Sequence, residues 1–441
     1  MNNLPSECKN FNNFSDLDLE GLNLLKFNSD RLLIPKKVEY ALSKYVSLKG
    51  LQLIDFDRKI AVEKCLVVLD NLSTTYYLES KWKSLNSNIL HQQTKKEFDN
   101  TFIYKLILDV LKKGTNKGSI IEVSENIFGT DSFSVGKYSK KYKISDLYLK
   151  PKLTTYLLKT DYLIERRRAF FFSTLSLASE NIIGRNLINI YGRLSLPSES
   201  EIISTGKKLV KLKYITKKGK KLTMRNKHSD DYWSDISCRS FVEDNIELYN
   251  YLTTDGFVIP NIGSEASGGR VVDSFTLMPS WIRKLIKIDG EETVEIDFKC
   301  LHPNIAVSIY SGNRNYITHK LLADKLDIDI KTVKIEHLSF FNKEIYQMKK
   351  SVLFEYYEEN EPWMLKNILK DKGTNGHKVT SIKMFEKETE IMTEVIKRLN
   401  DLGINVLYVY DALLSKKSDY ETVKKIMNQV VIEKKIYTIA E

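Results

Sequence analysis

Two aspartates stand where strand-like sequence gives way to a turn: Asp297 in TVEIDFKCLHPNIAVSIYSG (residues 293–312) and Asp411 in NVLYVYDALL (residues 405–414). An unpaired carboxylate among apolar neighbours is costly to bury, so a cation is the natural companion for either. Thr293 to Phe298 alternate as a strand that delivers Asp297, and Pro303 suits the opening of the following helix, where no amide donor is needed. Asn405 to Tyr410 read as a strand, Asp411 and Ala412 as a tight turn, and Leu413 with Leu414 as the return, which puts Asp411 at a hairpin tip. If the two strands are neighbours in one sheet, the carboxylates, 411 − 297 = 114 residues apart in the chain, flank a pair of divalent ions. Two hard oxygen donors with waters and substrate phosphates suit Mg²⁺, with Mn²⁺ as a substitute. Two such ions about 4 Å apart stabilise the attacking and leaving oxygens of an in-line phosphoryl displacement, so nucleotidyl transfer is the chemistry expected. Taken singly, either aspartate is more often a turn residue or a helix cap.

The rest of the chain must supply the elements that bring this pair together. Its 441 residues are enough for two or three domains, and 42% of them are hydrophobic, as in a globular protein. Lys and Arg number 68 against 57 Asp and Glu, a net charge of +11 that suits a polyanionic partner, nucleic acid or membrane surface. No stretch approaches the length of an apolar membrane span, and MNNLPSECKNFNNFSD lacks the regions of a signal peptide, so a soluble, cytoplasmic protein without a membrane partner is expected. Cys8, Cys65, Cys238 and Cys300 are scattered without CxxC spacing, which argues against a disulfide framework or a zinc knuckle.

Four regions are expected. Residues 1–95 read as a mostly helical N-terminal region. Residues 96–150 follow the order of a winged helix: Phe102, Ile103, Leu106, Ile107, Val110 and Leu111 mark a helix face ending at Gly114, then come the strand SIIEV and the basic hairpin SVGKYSKKYKI. There Lys137, Lys140, Lys141 and Lys143 would face phosphates while the interleaved tyrosines anchor the wing; the alternative is an ordinary solvated hairpin. Residues 151–246 read as a helical, basic, thumb-like connection carrying IERRRAFFF and KKGKKLTMRNKH, runs that are more often solvated loops than binding sites. Residues 247–441 read as one α+β catalytic domain.

Within that domain the stretch from about Gly268 to Ser415, with its GR, D, KxxxxxxxY and YD motifs in order, resembles the palm of the single-subunit polymerases, the family A DNA polymerases and phage-type RNA polymerases. The resemblance implies a right-hand-like palm, an antiparallel sheet with helices, in which Asp297 is the first catalytic aspartate and Asp411 the last, with Tyr410 where the family carries His. It implies that Lys349, with Lys350 as its rival, meets the triphosphate and that Tyr357, eight residues on (357 − 349 = 8), shapes the sugar and base pocket. Ile345, Met348, Val352 and Tyr356 are the apolar stripe of that helix, while Ile345 and Glu358 depart from the Arg and Gly of the family. Arg270 in SGGR and Arg283 after Pro279 match positions that hold primer and template. His302 stands where DNA-synthesising relatives place a Glu that crowds the ribose 2′-hydroxyl, which leans towards dNTP. Ile382, Phe385, Thr389, Met392, Ile396 and Leu399 form a helix seam with Glu388 beside it, for which a core role is the stronger reading.

The expected function is therefore a template-directed nucleotidyltransferase, a polymerase or primase-like enzyme of compact phage or mobile-element type, acting in replication on primer-template or single-stranded nucleic acid with nucleoside triphosphates. Two alternatives stay open: a non-catalytic nucleic-acid-binding replication or regulatory factor, and a two-metal nuclease using the same carboxylates.

Overall fold

The computed structural model describes residues 28–77, 81–96, 98, 101–125, 140–149, 153–225, 238–313 and 316–441. The chain forms two compact units, one holding residues 28–174 with Ile203–Phe257, the other Leu175–Ile202 with Val258–Glu441. The boundary expected at residue 247 falls inside the Val242–Thr253 helix. No described helix is long and apolar enough to cross a membrane.

In the first unit, Arg58–Ser73 is the central helix. Asp57 caps it by accepting from the Lys59 amide, and Val62, Cys65, Leu66, Val67, Val68, Leu69 and Leu72 are all buried. Around it pack the helices Val38–Tyr45, Leu48–Ile54 and Tyr104–Lys113. The strand Arg31–Pro35, unforeseen in a region read as helical, pairs antiparallel with Leu153–Leu157. The Tyr104–Lys113 helix buries Ile107, Val110 and Leu111 and stops at Gly114 (φ +65°), as its sequence pattern requires.

Of the basic hairpin, Lys137 lies outside the described residues. Lys141–Ile144 forms a strand between Lys83–Ser84 and Ile121–Val123. Lys141 is exposed and Lys140 half-buried. Lys143 pairs with Glu122 (2.9 Å), and its ammonium lies 5.3 Å from the Trp82 ring centre. Two arginines of IERRRAFFF are held within the fold: Arg166 donates to the carbonyls of Lys95 and Lys96, and Arg167 to Asp70, Ser29 O and Arg31 O.

The second unit is built on a five-stranded antiparallel sheet in the order Leu407–Val409, Ala412–Lys416, Glu291–Asp297, Lys287–Ile288, Leu194–Ser195. Its main covering helix, Val379–Asp401, buries Met384, Glu388, Ile391, Met392, Val395, Ile396 and Leu399. The inward seam is thus rotated by about a residue at its start from the expected one, leaving Ile382 and Phe385 half-buried and carrying Glu388 fully inward. The Ile182–Tyr191 helix secures the edge of the sheet. The fully buried Asn186 donates to Val406 O (2.7 Å) and accepts from Val406 N (3.1 Å), acting as a side-chain substitute for a neighbouring strand.

Replacing Asn186 by Ala strands both main-chain groups of a buried residue, at a cost of about 3 kcal/mol. Urea unfolding should show the midpoint of Asn186→Ala falling with little change of slope; an unaltered midpoint would mean that water or another group takes over.

Candidate active site

The ladder between Glu291–Asp297 and Ala412–Lys416 runs from Thr293↔Lys416 to Asp297↔Ala412. Val409 and Ala412 are partners across the hairpin, so the two-residue turn is Tyr410–Asp411, and Ala412 belongs to the returning strand rather than to the turn. Asp411 therefore lies one residue beyond the partner of Asp297, and the Phe298 amide donates to Asp411 O at 3.4 Å. The two aspartates meet at the same end of adjacent strands.

Such turns favour positive φ, normally supplied by Asn or Gly. Tyr410 adopts φ +59° instead, a conformation that costs a side-chain-bearing residue about 1 kcal/mol. Aromatic packing holds it there: the Arg270 guanidinium lies 5.0 Å from its ring centre and the Tyr408 ring 6.4 Å away. On its other side Asp297 is gripped by the last residue, its amide donating to Glu441 O (3.0 Å) and its carbonyl accepting from Glu441 N (3.2 Å). Lys299 N–H donates to Ile439 O, and Thr438 Oγ1 donates to Lys299 O.

Beside the pair sits a buried ionic cluster. Arg270 donates to Glu388 through Nε to Oε1 (2.7 Å) and Nη2 to Oε2 (2.6 Å), and His302 Nε2 lies 2.7 Å from the same Oε2. The guanidinium also lies 3.7 Å from the Phe385 ring centre. Glu388 has no exposed side chain. Burial alone would raise its pKa, but His302 and Arg270 outweigh that and hold it below the usual carboxylate range. Local backbone explains the placement. A Cβ on Gly268 (φ +63°) would sit 2.4 Å from Glu386 N, so only glycine lets this loop press on the helix and lay Arg270 over Phe385. Cys300 (φ +52°) turns the chain from the Asp297 strand into the Leu301–Ile309 helix, whose second residue is His302.

These charges act on Asp411. Its carboxyl is pushed up to about 7, first by burial, then by the charge of Asp297 and that of Glu388, against the opposing pull of His302. Two half-buried carboxylates in each other's field make a site short of positive charge, which is what a divalent cation supplies. Among the described residues no three His, Cys, Asp or Glu side chains gather into a self-sufficient metal cage. The donor set fits an ion that completes its shell with water and phosphate.

The other expected residues are distributed differently. Lys349 and Lys350 are exposed, but the helix expected to carry them is broken into Ile345–Met348 and Leu353–Asn360, with Val352 45% exposed at the break. Lys349 and Tyr357 therefore stand on different elements. Tyr357 is fully buried, its hydroxyl 2.7 Å from His337 Nε2 and its ring stacked on Phe340, so it does not line an open sugar pocket. Burial drives His337 down to about 3 and His319 to about 4, leaving both neutral. Arg283, expected to hold nucleic acid, is buried and donates to the carbonyls of Phe275 and Met278. Arg270 likewise serves Glu388. Glu388 is the residue that periodicity undervalued; its i, i+3 relation to Phe385, both under one Gly-Arg loop, was the only sequence signal for it.

No protein-family model matches the chain, and no curated protein matches it. Among solved structures it is similar to the POL domain of Pol1 from M. smegmatis, in a complex with DNA primer-template and dNTP, at 9% identity and a TM-score of 0.36 over 64% of this chain and 72% of that one. That likeness is too loose to assign a fold or an activity.

The raised carboxyl makes a pH prediction. An acid whose folded pKa lies above its unfolded value, about 4, contributes full stability below pH 4 and loses it as pH rises towards 7. In EDTA, the Tm of the wild type should fall relative to that of Asp411→Asn between pH 4 and 7, and Mg²⁺ should recover the difference at pH 7.5. Parallel pH curves for the two proteins would refute the assignment.

Proposed function

We propose that this protein is a template-directed nucleotidyltransferase of the polymerase type, extending a nucleic-acid strand with nucleoside triphosphates. The observation that carries the reading is the register that sets Asp411 beside Asp297 at the end of adjacent antiparallel strands. The net charge of +11 supports a nucleic-acid partner.

Asp297 and Asp411 would hold two Mg²⁺ ions. When bound, these lower the charge on the phosphates and favour ionisation of the attacking hydroxyl. The protein's own groups do the rest. Lys349 and Lys350, exposed beside the helix break, would neutralise the triphosphate. His302, its side chain 31% exposed and fixed by Glu388, would meet the sugar. Arg270 positions rather than binds: it neutralises Glu388 and supports the Tyr410 turn that aims Asp411. Most of the rate would come from charge stabilisation on the phosphates.

A labelled primer-template incubated with Mg²⁺ and either dNTPs or NTPs tests the reading. Extension supports it, shortening assigns a nuclease, and an unchanged band leaves a binding factor. Asp297→Asn and Asp411→Asn should each abolish extension while changing primer-template affinity less than about threefold. Lys349→Ala should raise the nucleotide KM about tenfold with a smaller effect on kcat. Synthesis retained in either aspartate variant would overturn the assignment.

A further inference from the structure

The first unit carries a feature that the carboxylate site does not use. On the Val38–Tyr45 helix, Tyr40 and Lys44 are one turn apart; the Lys44 ammonium donates to the Tyr40 hydroxyl (2.6 Å), which leaves the Tyr40 ring face open, and lies 5.6 Å from the ring centre of Tyr45. The two rings meet edge to face at 5.9 Å. A second cation reaches Tyr45 from another element: Lys117 stands 5.4 Å from its ring centre. It is carried by a turn closed by Thr115 N to Gly118 O (2.9 Å) and Gly118 N to Thr115 O (3.0 Å). The turn leaves no space for a side chain at Gly114, where a Cβ would lie 2.2 Å from Gly118 O.

Tyr40 is 51% exposed, and Lys44, Lys49, Lys113 and Lys117 are all exposed. None of these four lysines has a carboxylate partner among the described residues, whereas Lys64 and Lys143 of the same unit are each paired. The nearest acid on the helix, Glu39, accepts from Ser43. The exposed Tyr40 ring, backed by the half-buried Tyr45 ring and set among ammonium groups with no carboxylate partner, matches a ligand that offers planar rings and phosphates in alternation. Lipid headgroups bring phosphate without planar rings, and acidic peptides bring carboxylates without a regular series of them.

We propose that the Tyr40–Lys44–Tyr45–Lys117 patch binds single-stranded nucleic acid, a base against the exposed Tyr40 ring and the backbone against the lysines that Tyr45 holds in place. The patch acts independently of the carboxylate pair and needs no metal.

The test is fluorescence anisotropy of the full chain with a labelled oligo-dT in EDTA, across a salt series. The double variant Lys44→Ala/Lys117→Ala should raise the Kd about tenfold and flatten the salt slope by about 1.4, roughly 0.7 per lost phosphate contact. A control that removes two exposed charges elsewhere in the same unit, Lys59→Ala/Lys208→Ala, should change the Kd less than threefold. Tyr40→Ala should weaken binding at least about fivefold with the slope intact, and Tyr40→Phe should bind as wild type because the ring is kept. These side chains are exposed, and unfolding curves that overlay the wild type confirm that the variants fold. Equal losses in the lysine and control variants, wild-type affinity in Tyr40→Ala, or a defect confined to anionic vesicles would overturn the proposal. Asp297→Asn should bind the oligonucleotide normally, so a failure of the patch is distinguishable from a failure of the catalytic reading.

Discussion

Everything at the candidate centre depends on a main-chain ladder forcing together two charges that repel each other. Hydrogen bonds between Glu291–Asp297 and Ala412–Lys416 fix the register, and register alone decides which side chains share the end of the sheet. A slip of one residue would send Asp297 to the opposite face. The sheet is therefore buttressed where it matters, by Asn186 at the outer strand and by the 438–441 segment alongside Asp297. Burial first, and then the charge of Asp297, raises the affinity of Asp411 for a proton.

The Arg270–Glu388–His302 cluster resolves a different difficulty. A buried carboxylate is tolerable only when its charge and its lone pairs are both met. Arg270 meets two of them in a fork, and His302 a third contact, so the cluster is rigid where an isolated Glu388 would be ruinous. Its second effect is positional, since the same guanidinium lies against Phe385 and near Tyr410. Loop, long helix and hairpin are thus tied at one point.

Much of the centre could be read from sequence because its signals are local. Alternation in TVEIDF, the turn after NVLYV and the Gly-Gly-Arg run each report on neighbouring residues, and the two strands formed within two residues of the expected bounds. What could not be read is set by distant packing. Tyr357 and Arg283 have polar ends that suit a cleft equally well, and only the surrounding Phe340, His337, Phe275 and Met278 turn them inward. The strand Leu194–Ser195 is two residues long and carries no periodicity at all. The Val379–Asp401 seam was misjudged because Glu388 looks polar in the sequence while its partner Arg270 lies 118 residues away. Distance likewise hid the partners of Arg166 and Arg167, which lie 70 and 97 residues away.

The grip of Glu441 on both main-chain groups of Asp297 bears on how the molecule is made. Residues 194, 297, 411 and 441 all belong to one hydrogen-bonded assembly, so a nascent chain that has not yet reached residues 438–441 lacks the segment that steadies Asp297. The frame around the two aspartates is complete only once translation has run through residue 441.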